Sequence, residues 1–109
     1  MSDSIRPKYS VGQTIVIEQY NYRDTIIRFF RISRVTPAGN YFASELKAER
    51  SEAAPIGYYV VPRDEVLAAN IPIKWYKSIK QYSYENPRGC LFRSEVYDPD
   101  EQYNDIYGG

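Results

Sequence analysis

Apolar and polar positions alternate over short runs along most of this chain, and turn-forming residues separate the runs. Thr14-Ile15-Val16-Ile17, inside Gln13–Tyr20, is β-branched throughout, which predicts a strand, and Asn21-Tyr22-Arg23-Asp24 breaks it. Two β-rich runs follow, Thr25–Val35 and Asn40–Lys47, joined by Thr36-Pro37-Ala38-Gly39. Pro37 presets φ for the first turn position and Gly39 can take the left-handed conformation, so the pair predicts a hairpin closed by a type I turn with a bulge. In the first arm Ile27 and Phe29 lie on one parity and Ile26, Phe30 and Ile32 on the other. Loading both faces predicts either that both are covered or that a bulge near Phe29-Phe30 shifts the phase. The second arm sets Phe42 and Leu46 against Tyr41, Glu45 and Lys47.

Ala48–Ile56 is polar and Ala-rich and reads as a loop, and Gly57–Val61 as a short strand. Pro62–Pro72 carries the signals of a short helix centred near 63–70: proline at its start, Asp64 and Glu65 in the first turn, Asn70 for a left-handed cap and Pro72 as a stop. Ile73–Glu85 alternates again, with Ile73, Trp75 and Ile79 on one side and Lys74, Tyr76, Lys80, Tyr82 and Tyr84 on the other. Asn86-Pro87-Arg88-Gly89 repeats the Pro-x-Gly turn, with Cys90–Tyr97 as the return strand. The fold class expected is mainly β: a small antiparallel barrel of about five to six strands with one short helix and an extended acidic C-terminal tail. Its parts are a loose, polar N-terminal arm (1–10) in which Pro7 prevents a continuous helix, the barrel (11–97) and the tail (98–109).

The opening Val11-Gly12-Gln13-Thr14-Ile15 strand, with a single helical turn placed before the last strand, resembles the SH3-like small barrels of the Tudor, KOW and chromatin-reader types. The resemblance spans roughly residues 11–97 and implies a barrel, but it carries no functional residue across.

Composition narrows the chemistry. There is no histidine and one cysteine, so a Ser-His-Asp or Cys-His centre, an internal disulfide and a zinc site are excluded. No phosphate loop is present, and Cys90 beside Arg88 and Arg93 reads as a small core residue rather than a nucleophile. The oxygens of 98–105 lack the glycine and the later bidentate Glu of a calcium loop, and the terminal Gly108-Gly109 lacks the long helix that accompanies it in ubiquitin-like modifiers. The expectation is a non-enzymatic chain without cofactor or metal. With no signal peptide and no apolar run of membrane-spanning length, a cytoplasmic or intracellular, non-membrane setting is expected.

Two surfaces remain as candidates. Twelve of the seventeen aromatic residues are tyrosine, and Lys74, Tyr76, Lys80, Tyr82 and Tyr84, with Arg28, Arg31 and Arg34 nearby, interleave cations and rings as single-stranded nucleic-acid binders do. Tyr58, Tyr59, Trp75 and Tyr76 offer an aromatic cage as another use of the same region, although Trp75 shares its parity with core residues. The tail carries Asp98, Asp100, Glu101 and Asp105 with no base, together with Tyr103, Ile106 and Tyr107, and so reads as a docking strand for a basic groove of another copy or a partner, or equally as a segment that folds back on its own basic body. It leaves 1–97 at net +4. The function expected is a protein–protein interaction module, a structural or assembly component that binds another protein or a second copy. A small barrel binding nucleic acid (single-stranded or chromatin-type) is the alternative.

Overall fold

The computed structural model describes residues 6–20, 25–51, 58–87 and 91–105. Seven strands fill these segments: β1 (Thr14–Tyr20), β2 (Thr25–Val35), β3 (Tyr41–Ser51), β4 (Tyr58–Tyr76), β5 (Gln81–Ser83), β6 (Leu91–Val96) and β7 (Tyr103–Asp105). All pairings are antiparallel, in the order β5-β4-β3-β2-β1-β6, and β7 adds to β4. Six strands curl into a nearly closed barrel. Its seam lies between β5 and β6, where side chains replace a backbone ladder: the Tyr82 amide donates to Ser94 Oγ (3.1 Å), and the Ser94 amide and hydroxyl both donate to Gln81 Oε1 (3.0 Å each).

The double loading of β2 is resolved by covering both faces. Phe30 and Ile32 point into the barrel with Tyr9, Ile15, Ile17, Tyr41, Ala43, Ile73 and Tyr82. Ile27 and Phe29 point outward and form a second cluster with Val16, Leu46, Val60 and Tyr103. The phase shift in β2 falls between Ile32 and Arg34 rather than at Phe29-Phe30. The β2–β3 turn has the expected form, with Gly39 at φ +84° and its amide donating to the Thr36 carbonyl (3.0 Å).

The helix expected over Pro62–Pro72 is not formed; these residues belong to β4. A helix of that length depends on an apolar face to pack, and Val66-Leu67 supplies only two adjacent apolar side chains. The β3 edge supplies hydrogen-bond partners instead, so the segment pairs with it, from Ala48↔Pro62 to Phe42↔Pro72. The register shifts three times on the way, each time leaving extra residues on β4, so that 63–70 arches out as an exposed arc. Asn70 does adopt the left-handed conformation (φ 56°), as a bend in this arc. Prolines are tolerated here because β4 carries no strand on its outer edge between its pairings with β7 and β5 among the described residues.

Two further expectations change. Residues 6–10 are docked rather than loose: the Tyr9 ring packs against Tyr41 and Tyr82, each at 5.3 Å between centroids, and its amide donates to Tyr41 Oη (2.9 Å). The C-terminal segment does not extend away over the described residues. It folds back through β7, burying Tyr103 against Phe29 and Tyr97. The second Pro-x-Gly turn and Cys90 lie outside the described residues for 88–90, and β6 finds its ladder on β1.

Candidate functional site

Strand polarity brings three segments to one end of the barrel: the arm before β1, the β2–β3 hairpin and the β4–β5 hairpin. Asn40 joins them. Its Oδ1 accepts from Arg6 Nη2 and from the Trp75 amide, both at 3.1 Å, and its own amide donates to Thr36 Oγ1 (3.0 Å). The Arg6 guanidinium lies 5.3 Å from the Trp75 ring centroid and 5.5 Å from that of Tyr82, and also donates to the Gly39 carbonyl. A cavity of about 390 Å³ opens here, lined by Arg6, Lys8, Tyr9, Val35, Gly39, Tyr41 and Tyr82. Burial pushes the Tyr9 phenol up to about 12, and burial also raises Tyr82.

The Lys/Tyr face expected over Ile73–Glu85 is divided. The chain turns back at 77–80, so Trp75 stands opposite Tyr82 and Lys74 opposite Ser83. The turn therefore reverses the parity: Tyr82 lies in the core on Trp75's side, their rings 5.0 Å apart, while Lys74 and Lys80 stay exposed. Tyr76 is half-buried. Tyr84 packs on Phe30 at 5.4 Å between centroids, with the Arg28 guanidinium 5.2 Å from its ring centroid and its hydroxyl donating to Gln19 Oε1 (2.7 Å). Of the aromatic cage, Trp75 is half-buried beneath Arg6, and the Tyr58 side chain lies outside the described residues.

The three arginines of β2 also part company. Arg28 pairs with Glu45 (3.1 Å), closing the far end of the barrel interior together with Tyr84 and Gln19. Arg31 pairs with Asp64 (2.7 Å) on the arc. Arg34 stays at the hairpin end, stacked on Phe42 at 4.3 Å, with no carboxylate partner among the described residues.

The tail residues are held by the body. Glu101 accepts from Arg93 (2.9 Å), which also meets Glu95 (2.6 Å) and the buried Glu18 (3.4 Å). The Asp98 amide donates to Tyr103 Oη, and Asp98 Oδ1 accepts from the Asp100 amide. Asp105 lies in β7, whereas Ile106 and Tyr107 lie outside the described residues.

Sequence reasoning missed the arc. All its charges turn back onto the barrel: Arg63 to Glu49, Asp64 to Arg31, and Glu65 to Lys47 at 3.9 Å. Val66 (51% exposed) and Leu67 (56%) are left facing out, beside a groove of about 640 Å³ floored by Ile27, Leu46 and Val60. Val66-Leu67 between two prolines was the available signal, but it is shared with a short helix.

Among the described residues no group of three or more His, Cys, Asp or Glu could hold a metal ion, and no helix is long and apolar enough to cross a membrane. Compared with family models, curated proteins and solved structures, the chain gives no match.

Proposed function

We propose that this chain is a non-enzymatic protein-binding module, an assembly component, whose docking element is the β4 arc. One observation carries the reading: residues 63–70 are exposed without a break, while each charged side chain among them is neutralised by a barrel residue. The ion pairs draw the arc's charges back onto the barrel, and what it presents is apolar and uncharged, Val66-Leu67-Ala68-Ala69. Backbone groups on the open β4 edge lie alongside. Two apolar side chains and a free strand edge match a protein partner that offers a pocket and a strand; a charged polymer has use for neither. Kinship with the SH3-like barrels is part of the proposal. The Val11-Gly12 entry to β1 and the β2–β3 hairpin favour it, although the arc stands where those barrels carry a helical turn.

The tagged protein recovered from its native source tests this. Wild type and Lys74→Glu/Lys77→Glu are expected to hold the same stoichiometric protein companion, and Val66→Asp/Leu67→Asp to lose it with unchanged melting. A companion that survives the arc variant, or a wild type recovered with none, overturns the reading.

A further inference from the structure

β2 and β3 diverge beyond the pair Phe29↔Leu46. Residues 25–28 stay on β1, while β3 runs on along β4, from Ala48↔Pro62 to Ser51↔Tyr59. The groove of about 640 Å³ lies between the two diverging strands, above Ile27, Leu46 and Val60. Its walls are therefore sheet margins. The Ile32 amide donates to the Gln13 carbonyl (2.9 Å) and the β1–β2 register runs on unbroken, so the even-numbered residues of β2 turn their main-chain groups to β1. Thr25 and Ile27 turn theirs the other way, into the groove. By the same alternation Ala48, two residues beyond Leu46, turns its own groups towards them. Its neighbour on β4 is Pro62, which has no N–H to offer. Among the described residues no strand pairs with either margin. The charged rim is already engaged: Arg28 with Glu45, Lys47 with Glu65 and Glu49 with Arg63, while Arg50 has a contact of its own.

Such margins fit an extended, uncharged segment with apolar side chains and a main-chain edge of its own to pair. The arc is a segment of that kind. Val66-Leu67-Ala68-Ala69 carries no charge, belongs to a strand, and has no strand on its outer edge among the described residues. It does not fill the groove of its own chain, since Leu67 borders that groove and is still 56% exposed. Knob and socket thus sit side by side on one face. We propose that the chain forms a two-fold dimer in which the arc of each copy lies in the β2–β3 groove of the other. This rests on the arc's being the docking element, and gives it a second copy as partner. A foreign partner would have to bring both an apolar pocket and a free strand margin; this chain has the two already, joined at Leu67. The charges match as well, because those flanking arc and groove are paired within their own copy and neutral surface meets neutral surface. With the same patch used by both copies, the contact closes at two rather than growing into a fibre.

Sedimentation equilibrium of the purified full chain, over a micromolar-to-millimolar concentration series, tests the dimer. The wild type is expected to approach twice the chain mass. Val66→Asp/Leu67→Asp, which spoils the knob, and Ala48→Trp, which fills the socket from an exposed position, should each weaken association about thirtyfold or more with the circular dichroism spectrum unchanged. The two variants mixed in equal amounts should associate again, more weakly than wild type. In that mixture the intact arc of the Ala48→Trp chain meets the intact groove of the other, one contact of the original two. An interface of arc against arc, or one elsewhere on the barrel, gives no such rescue. A wild type that stays monomeric throughout overturns the dimer; if it still carries a different protein that Val66→Asp/Leu67→Asp releases, the docking role of the arc stands. A dimer that survives either variant, or a mixture no heavier than its separate components, also overturns it.

Discussion

The ring of Tyr103 stands edge-on to that of Phe29, centroids 6.2 Å apart and planes at 87°, and Tyr97 meets Phe29 in the same manner at 5.4 Å. These contacts join the end of the chain to the outward face of β2, a face that would otherwise leave Phe29 and Val16 in water. The C-terminal segment is thus a structural part of the body. Tyr103→Ala is expected to lower stability by about 3 kcal/mol, the usual cost of removing a buried aromatic ring. Urea denaturation measures it; a midpoint equal to wild type would mean that the second cluster holds without its cover.

Alkaline pH should loosen the barrel. Tyr9 is held protonated by burial, up to about 12 from an ordinary 10, and burial likewise raises Tyr82, Tyr84 and Tyr103. The folded state therefore keeps a proton that the unfolded chain releases first. The associated stability is full below pH 10 and is lost as pH rises towards 12; for Tyr9 the gap corresponds to roughly 2–3 kcal/mol. Melting temperature followed from pH 8 to 12 should fall in that window, and Tyr9→Phe should reduce the fall. A flat profile would show that Tyr9 is not buried.

At the first hairpin, Gly39→Val should cost more than Ala38→Val. Only position 39 has positive φ, at +84°, and no protein atom lies closer than 3.8 Å to a Cβ built there. The penalty is therefore conformational rather than steric, on the order of 1–2 kcal/mol. Equal melting temperatures for the two variants would refute this turn geometry.

Lys80 occupies the same left-handed region without being glycine (φ 53°). Lys80→Gly should relieve it and raise stability by up to about 1 kcal/mol, while removing one cation from the hairpin end. A raised melting temperature is the expected result; a destabilised protein would contradict the backbone conformation.

Much of this fold was legible locally. The β-branched run of β1 and the Pro37–Gly39 turn specify themselves, whereas the double loading of Ile27, Phe29, Phe30 and Ile32 left cover on both faces of β2 and a bulge near Phe29-Phe30 as equal alternatives, which the two clusters decide for cover. The arc was not legible, because Pro62, Asp64, Glu65 and Asn70 serve equally a short capped helix and a bulged strand; the free β3 edge, a tertiary partner, made the choice. The Lys/Tyr face failed at the 77–80 turn, since alternation counted through a hairpin comes out on the wrong side. Arg6 and Tyr9 read as an idle arm because their partners, Asn40 and Tyr41, are distant in sequence.

The seam between β5 and β6 gives the barrel a preferred line of failure. Among the described residues, three bonds through the Ser94 hydroxyl, the Gln81 amide group and two main-chain nitrogens lace this margin in place of a ladder, so the cylinder can part there and flatten into an open sheet while β1 to β4 keep every ladder bond. Deuterium uptake at the Tyr82 and Ser94 amides would then outrun that of the central strands, and the margin laid bare would be an inviting place for a foreign strand to insert.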